Sequence, residues 1–92
     1  MEYEWDENKR QSNLEKHGLD FVIAYKMYES LDKLTIPSNY ATEQRWIDIA
    51  PVGEELLILT LVYTHREEKV RVISLRKASR KERRLYYDNR SS

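Results

Sequence analysis

Ninety-two residues, 40% of them hydrophobic and 35% charged, describe one small folded domain spanning 1–92, with 16 basic side chains balancing 16 acidic ones. The absence of cysteine excludes disulfides, thiolate metal sites and a cysteine nucleophile. No apolar run approaches the ~18 residues of a membrane span, and the acidic opening MEYEWDENKR is no signal peptide, so a cytoplasmic protein without membrane contact is expected.

Glu2 to Trp5 reads as a short edge strand. Asp6 is the N-cap of a helix from about Glu7 to His17, and Gly18 supplies the left-handed residue that ends it. Leu14 is the only large apolar residue of this helix, which therefore cannot be deeply buried and leaves Lys9, Lys16 and His17 able to face a ligand. Asp20 caps a second helix, about Phe21 to Ser30. Its Phe21, Ala24, Tyr25 and Tyr28 recur at helical spacing, widened by Ile23 and Met27, and are expected in the core. Leu34 to Tyr40 contains Pro37-Ser38-Asn39 and reads as a turn-like connection. Arg45 to Ile49 alternates as a strand, and Pro51-Val52-Gly53 marks a turn. Leu56 to Tyr63, apolar on both faces, is the central strand. His65 to Glu68 forms a polar turn, with His65 in solvent, and Lys69 to Leu75 is the next strand. A last helix runs from about Arg80 to Tyr87 and frays through Asn89-Arg90-Ser91-Ser92. The expected fold is α+β: a small antiparallel sheet with two N-terminal helices and a C-terminal helix, all gathered on one face.

Charge is unevenly spread. Residues 1–64 carry 12 acidic and 6 basic side chains, and residues 65–92 carry 4 acidic and 10 basic. Such asymmetry points to a nucleic-acid surface at the basic end, or to a solvated helix face that meets the acids of the first two-thirds. Ser79-Arg80-Lys81-Glu82 fits a capping box. Around it stand Arg76, Lys77, Arg80 and Lys81, although acidic residues there would each stabilise the helix by roughly 0.3–1 kcal/mol. A local rule broken without visible compensation marks a candidate site, here a phosphate receptor of backbone N–H groups, helix dipole and guanidinium groups. No histidine pair stands at ligand spacing, no glycine-rich loop is present and no serine or threonine has a base beside it, so neither metal nor cofactor is expected.

Three stretches resemble the BrnT family of type II toxins. They are Trp5-Asp6, Lys9, Ser12-Asn13-Leu14 and Lys16-His17-Gly18; then Arg45-Trp46-Ile47 and Tyr63-Thr64-His65-Arg66; then Arg71-Val72-Ile73-Ser74, Arg76, Ala78-Ser79 and Lys81-Glu82-Arg83. The resemblance covers almost the whole chain. It implies a RelE-like fold and a metal-independent endoribonuclease that cuts RNA and inhibits translation. It also implies a BrnA-type antitoxin that holds the toxin inactive and is its route to operator DNA.

A metal-free ribonuclease must remove the 2′-hydroxyl proton and protonate the leaving oxygen, each worth roughly 10²–10⁴ in rate. It must also stabilise charge on the pentacoordinate phosphate. RelE-like enzymes use lysine, arginine and tyrosine for these tasks. Arg45, Tyr63, Arg76 and Lys9 are therefore the expected catalytic residues, and Lys16, His17, Arg66, Arg80, Arg83 and Tyr86 the expected RNA contacts. Several have plainer readings. Arg45 could form a surface ion pair, Tyr63 could be half-buried with a wet hydroxyl, and Lys9 and Lys16 could be solvated. His17 reads first as a helix-end histidine bonding open carbonyls. Of Tyr86 and Tyr87, either could stack on a base while the other packs against the sheet. Two other functions stay open: an inactive nucleic-acid or antitoxin-binding module acting in operon repression, and an interaction domain for an acidic partner.

Overall fold

The computed structural model of the protein describes residues 1–90. In chain order it comprises β1 (Glu2–Glu4), α1 (Glu7–His17), a 3-10 turn (Phe21–Ile23) running into α2 (Ala24–Tyr28), β2 (Leu34–Tyr40), β3 (Glu43–Val52), β4 (Leu57–Arg66), β5 (Lys69–Lys77) and α3 (Arg80–Arg90). Asp6 accepts from the N–H groups of Asn8 and Lys9 at 2.8 and 3.2 Å, and Gly18, at φ 71°, gives its N–H to the Leu14 carbonyl at 2.8 Å. Both ends of α1 are thus the expected ones. The second helix is shorter than its periodicity suggested: Asp20 caps a 3-10 turn, and the α-helical part ends at Tyr28. Phe21, Ala24 and Met27 are buried, whereas Tyr25 faces solvent.

The five strands form one sheet in the order β1-β5-β4-β3-β2, with β4 central. β2 to β5 make an antiparallel meander, while β1 runs parallel to β5, Glu2 opposite Lys69. The sheet is therefore mixed rather than purely antiparallel. A crossover through two helices and three strands permits a parallel pair that no hairpin could make. The segment 34–40, expected as a turn, is a strand pairing Leu34 with Ile49 and Tyr40 with Glu43. It is an edge strand, where Pro37 costs no ladder bond. The strands also run longer than expected. Pro51 and Val52 close β3 and leave the turn to residues 53–56, while His65 and Arg66 close β4 and leave only Glu67-Glu68 as a loop.

Helices cover both faces, contrary to expectation. Phe21, Ala24 and Met27 pack with Ala50, Leu59, Leu61, Val72 and Leu75 on one face; Tyr86 of α3 packs with Ile49, Ile58 and Ala78 on the other. Alternate residues of β4 are apolar on both sides, so both sides need cover. At the C-terminus α3 continues through Asn89 and Arg90; Ser91 and Ser92, where fraying was expected, lie outside the described residues.

Candidate functional site

β1 covers the edge of β5 only as far as Arg71. Beyond that point α1 takes over, through one side chain. Buried Asn13 donates from Nδ2 to the carbonyls of Leu75 (2.8 Å) and Leu19 (3.0 Å), and its Oδ1 accepts from Leu75 N–H at 3.2 Å. The amide acts as a one-residue strand and fixes which face of α1 lies over β5. Between helix and strand opens a groove of about 330 Å³, lined by Asn8, Lys9, Ser12, Asn13, Lys16, His17, Ile73 and Ser74. Positions 9, 12, 13 and 16 are three, four and seven apart and so share one face of the helix. The side chains of Lys9, Lys16 and His17 have no ion pair or hydrogen bond among the described residues. The bond expected of His17 at the helix end is made instead by the Gly18 backbone.

The second cluster is the junction between β5 and α3. Its capping box forms: Ser79 N–H donates to Glu82 Oε1 at 2.8 Å, and Glu82 N–H to Ser79 Oγ at 3.2 Å. The same carboxylate accepts from both terminal nitrogens of Arg76, at 2.6 and 2.9 Å, and from the Thr60 hydroxyl at 3.1 Å. Hydrogen bonds from Arg76 draw the Glu82 pKa down to about 2, against the effect of burial. Compensation for the basic helix start therefore exists, and it occupies the guanidinium of Arg76, one of the expected catalytic groups. Ser74 and Arg76 stand opposite Val62 and Thr60, so they share a face of β5, roughly 6–7 Å apart. Groove and junction thus adjoin.

The ion pairs divide the basic end in two. Arg66, Lys69, Arg71 and Arg90 reach Glu43, Glu2, Glu4 and Asp32 in the first two-thirds of the chain. Lys77, Arg80, Lys81, Arg83 and Arg84 have no acidic partner among the described residues; Arg83 donates to the Ala78 carbonyl at 3.1 Å.

The other expected site residues lie elsewhere. Arg45 pairs with Glu43 (2.9 Å) and stacks over the Tyr40 ring at 4.2 Å. Glu43 also approaches Arg66 at 3.9 Å, so Arg45 and Arg66 are gathered together, roughly 13 Å along the strands from Thr60. Tyr63 is not a wet aromatic. It is 2% exposed and its hydroxyl donates to Asp48 Oδ1 at 3.0 Å, on the face away from Arg76. Burial and the Asp48 charge hold its pKa well above the ordinary phenol value. Tyr86 is likewise buried, its hydroxyl donating to the Asp32 carbonyl at 2.8 Å. It is the packing member of its pair, and Tyr87 is the exposed one. Neither Tyr63 nor Tyr86 presents a ring face to a base.

Three features escaped the sequence reading. Asp48 is fully buried and accepts from Lys33 Nζ (2.9 Å), Thr35 Oγ1 (2.7 Å) and the Tyr63 hydroxyl; an acid at an inward position of an alternating strand was its one signal. His65 is exposed, as expected, yet its Nε2 lies 3.0 Å from the Tyr28 hydroxyl. Asn13 stood in a motif without a stated role. Among the described residues no three His, Asp or Glu side chains gather as a metal site requires.

A protein-family model described as "Ribonuclease toxin, BrnT, of type II toxin-antitoxin system" matches residues 5–82 and so takes in the groove and the capping box alike. No curated protein matches the chain.

Proposed function

Because the chain belongs to the BrnT family of ribonuclease toxins of type II toxin–antitoxin systems, we propose that it is a RelE-like endoribonuclease that cuts cytoplasmic RNA without a metal. Translation stops in consequence, until a BrnA-type antitoxin covers the toxin and carries it to operator DNA. The observation that supports this best is the α1–β5 groove, which Lys9, Lys16 and His17 line without an anionic partner among the described residues and which adjoins the cations of the β5–α3 junction that lack one there too. Such an uncompensated cationic surface lowers its energy by meeting phosphate.

In this reading Lys9 and Lys16 hold the scissile phosphate, and Arg80 and Arg83 carry the backbone onward. Arg76 and Glu82 set the first turn of α3 against β5. Arg45 and Arg66 meet the RNA only farther along its path. Attack of the ribose 2′-oxygen on phosphorus leaves a 2′,3′-cyclic phosphate and a 5′-hydroxyl. The purified protein should therefore cut a labelled RNA in EDTA to fragments with those termini. Joint replacement of Lys9 and Lys16 by alanine should slow cleavage by about 10² or more, the scale of an electrostatic contribution. Undiminished cleavage by a folded double variant would refute the assignment of the groove.

One observation favours the second reading, an inactive binding module. The bidentate Arg76–Glu82 pair already neutralises a guanidinium that catalysis could have used. That reading predicts salt-sensitive RNA binding with no cleaved product.

A further inference from the structure

We propose that His17 is the general base of RNA cleavage, taking the 2′-hydroxyl proton of a ribose seated in the α1–β5 groove. This rests on the ribonuclease reading above and names the general base, which that reading leaves unassigned.

The chain has two histidines, and histidine is the side chain whose charge change ordinarily falls between pH 5 and 8. His65 is committed. Its Nε2 meets the Tyr28 hydroxyl at 3.0 Å, and its ring stands edge-on to Tyr28 and Tyr63, on the face of the sheet away from Arg76. His17 is placed differently. It is the last residue of α1, part-buried, in the wall of the groove. A helix-end histidine has an ordinary task, bonding the open carbonyls, and here Gly18 N–H performs it on Leu14. The imidazole has no hydrogen-bond partner among the described residues. It is nevertheless held in place. Asn13 lies one helical turn earlier on the same face, and its pair of hydrogen bonds with the Leu75 backbone pins that face to β5. The charged side chains that line the groove with it are Lys9, two turns away, and Lys16, both of its own helix; β5 contributes Ile73 and Ser74, neither of which titrates. Among the described residues no carboxylate lines the groove to compete with a phosphate.

The step balances without a further reagent. A neutral imidazole nitrogen of His17 takes the proton from O2′. The oxygen lone pair forms the O2′–P bond, and the P–O5′ bond breaks with its electron pair on O5′. O5′ takes a proton from the Lys16 ammonium. The products are the cyclic phosphate and the 5′-hydroxyl, and water returns His17 and Lys16 to their starting states.

The test compares the wild type with His17→Gln and His17→Ala on one RNA in EDTA. General-base catalysis predicts a fall in kcat of about 10² or more, with KM and thermal midpoint near the wild-type values. The wild-type rate should rise with pH along a limb that His17→Gln lacks. Added imidazole should restore cleavage by His17→Ala and leave His17→Gln, whose side chain fills the space, largely unrescued. Wild-type kcat in the variants would overturn the assignment alone. So would a loss that follows KM or melting and ignores imidazole. A wild type that cuts no RNA would overturn the ribonuclease reading, and this assignment with it.

Discussion

The carboxylate of Asp48 is fully buried and answers three donors, from Lys33, Thr35 and Tyr63. Removing one partner of a buried ion pair costs about 3–5 kcal/mol, because the other is left uncompensated. Asp48→Ala should lower unfolding stability by that order in a urea titration, and unchanged stability would contradict the network. Glu82 predicts a pH dependence. Its carboxyl is drawn from 4.5 to about 2 by Arg76, so the folded protein keeps this charge at acidities where the unfolded chain loses it. The stabilisation is fully present above pH 4.5 and is lost as pH falls toward 2. At pH 7, Glu82→Gln should be less stable than the wild type by about 1.5–3 kcal/mol, the scale of hydrogen bonds to a charged group. That gap should close across the acid window, and a gap of constant size would argue against the Arg76 pair. The capping box was legible because its spacing is local. The reach of Glu82 to Arg76 and Thr60 was not, because it needs the corner between β5 and α3 and a neighbouring strand.

Elements show the same division. α1 could be read end to end, since Asp6 and Gly18 act on their own helix. β2 was hidden, because Pro37-Ser38-Asn39 carries turn chemistry and only its place at the sheet edge makes it tolerable. The place of α1 against β5 was equally unreadable, as it depends on Asn13 meeting Leu75 across 62 residues. Asn13→Ala would leave both polar groups of Leu75 without that partner, at about 1–3 kcal/mol for each group. A calorimetric midpoint should fall accordingly, and amide exchange at Leu75 should quicken more than at Leu61. The β4–β5 loop offers the opposite change. Glu67 and Glu68 sit at φ 52° and 66°, a left-handed pair for which Asn-Gly is the favoured sequence. Replacing them with Asn-Gly should raise stability by about 1 kcal/mol or more, seen as a higher thermal midpoint; a lower midpoint would mean the glutamates make a contact that matters.

For the whole molecule, net charge was an average over two different surfaces. Among the described residues, four cations of the basic end are cancelled by acids from the first two-thirds, while five around the β5–α3 junction are not. Neutralising Arg80 and Arg83 together should flatten the salt dependence of RNA binding by about 1.4 in log–log slope if both contact phosphate, as expected for two single-strand contacts. An unchanged slope would move the RNA path off α3. The wide separation of α1 from β5 in sequence has one more consequence. A half-made copy emerging from a ribosome has the first helix but not the strand that turns its lysines into a cleft. The cleft therefore comes into being only once Ile73 and Ser74 have left the ribosome and joined the sheet, so a shorter nascent chain lacks the lysine-lined surface altogether.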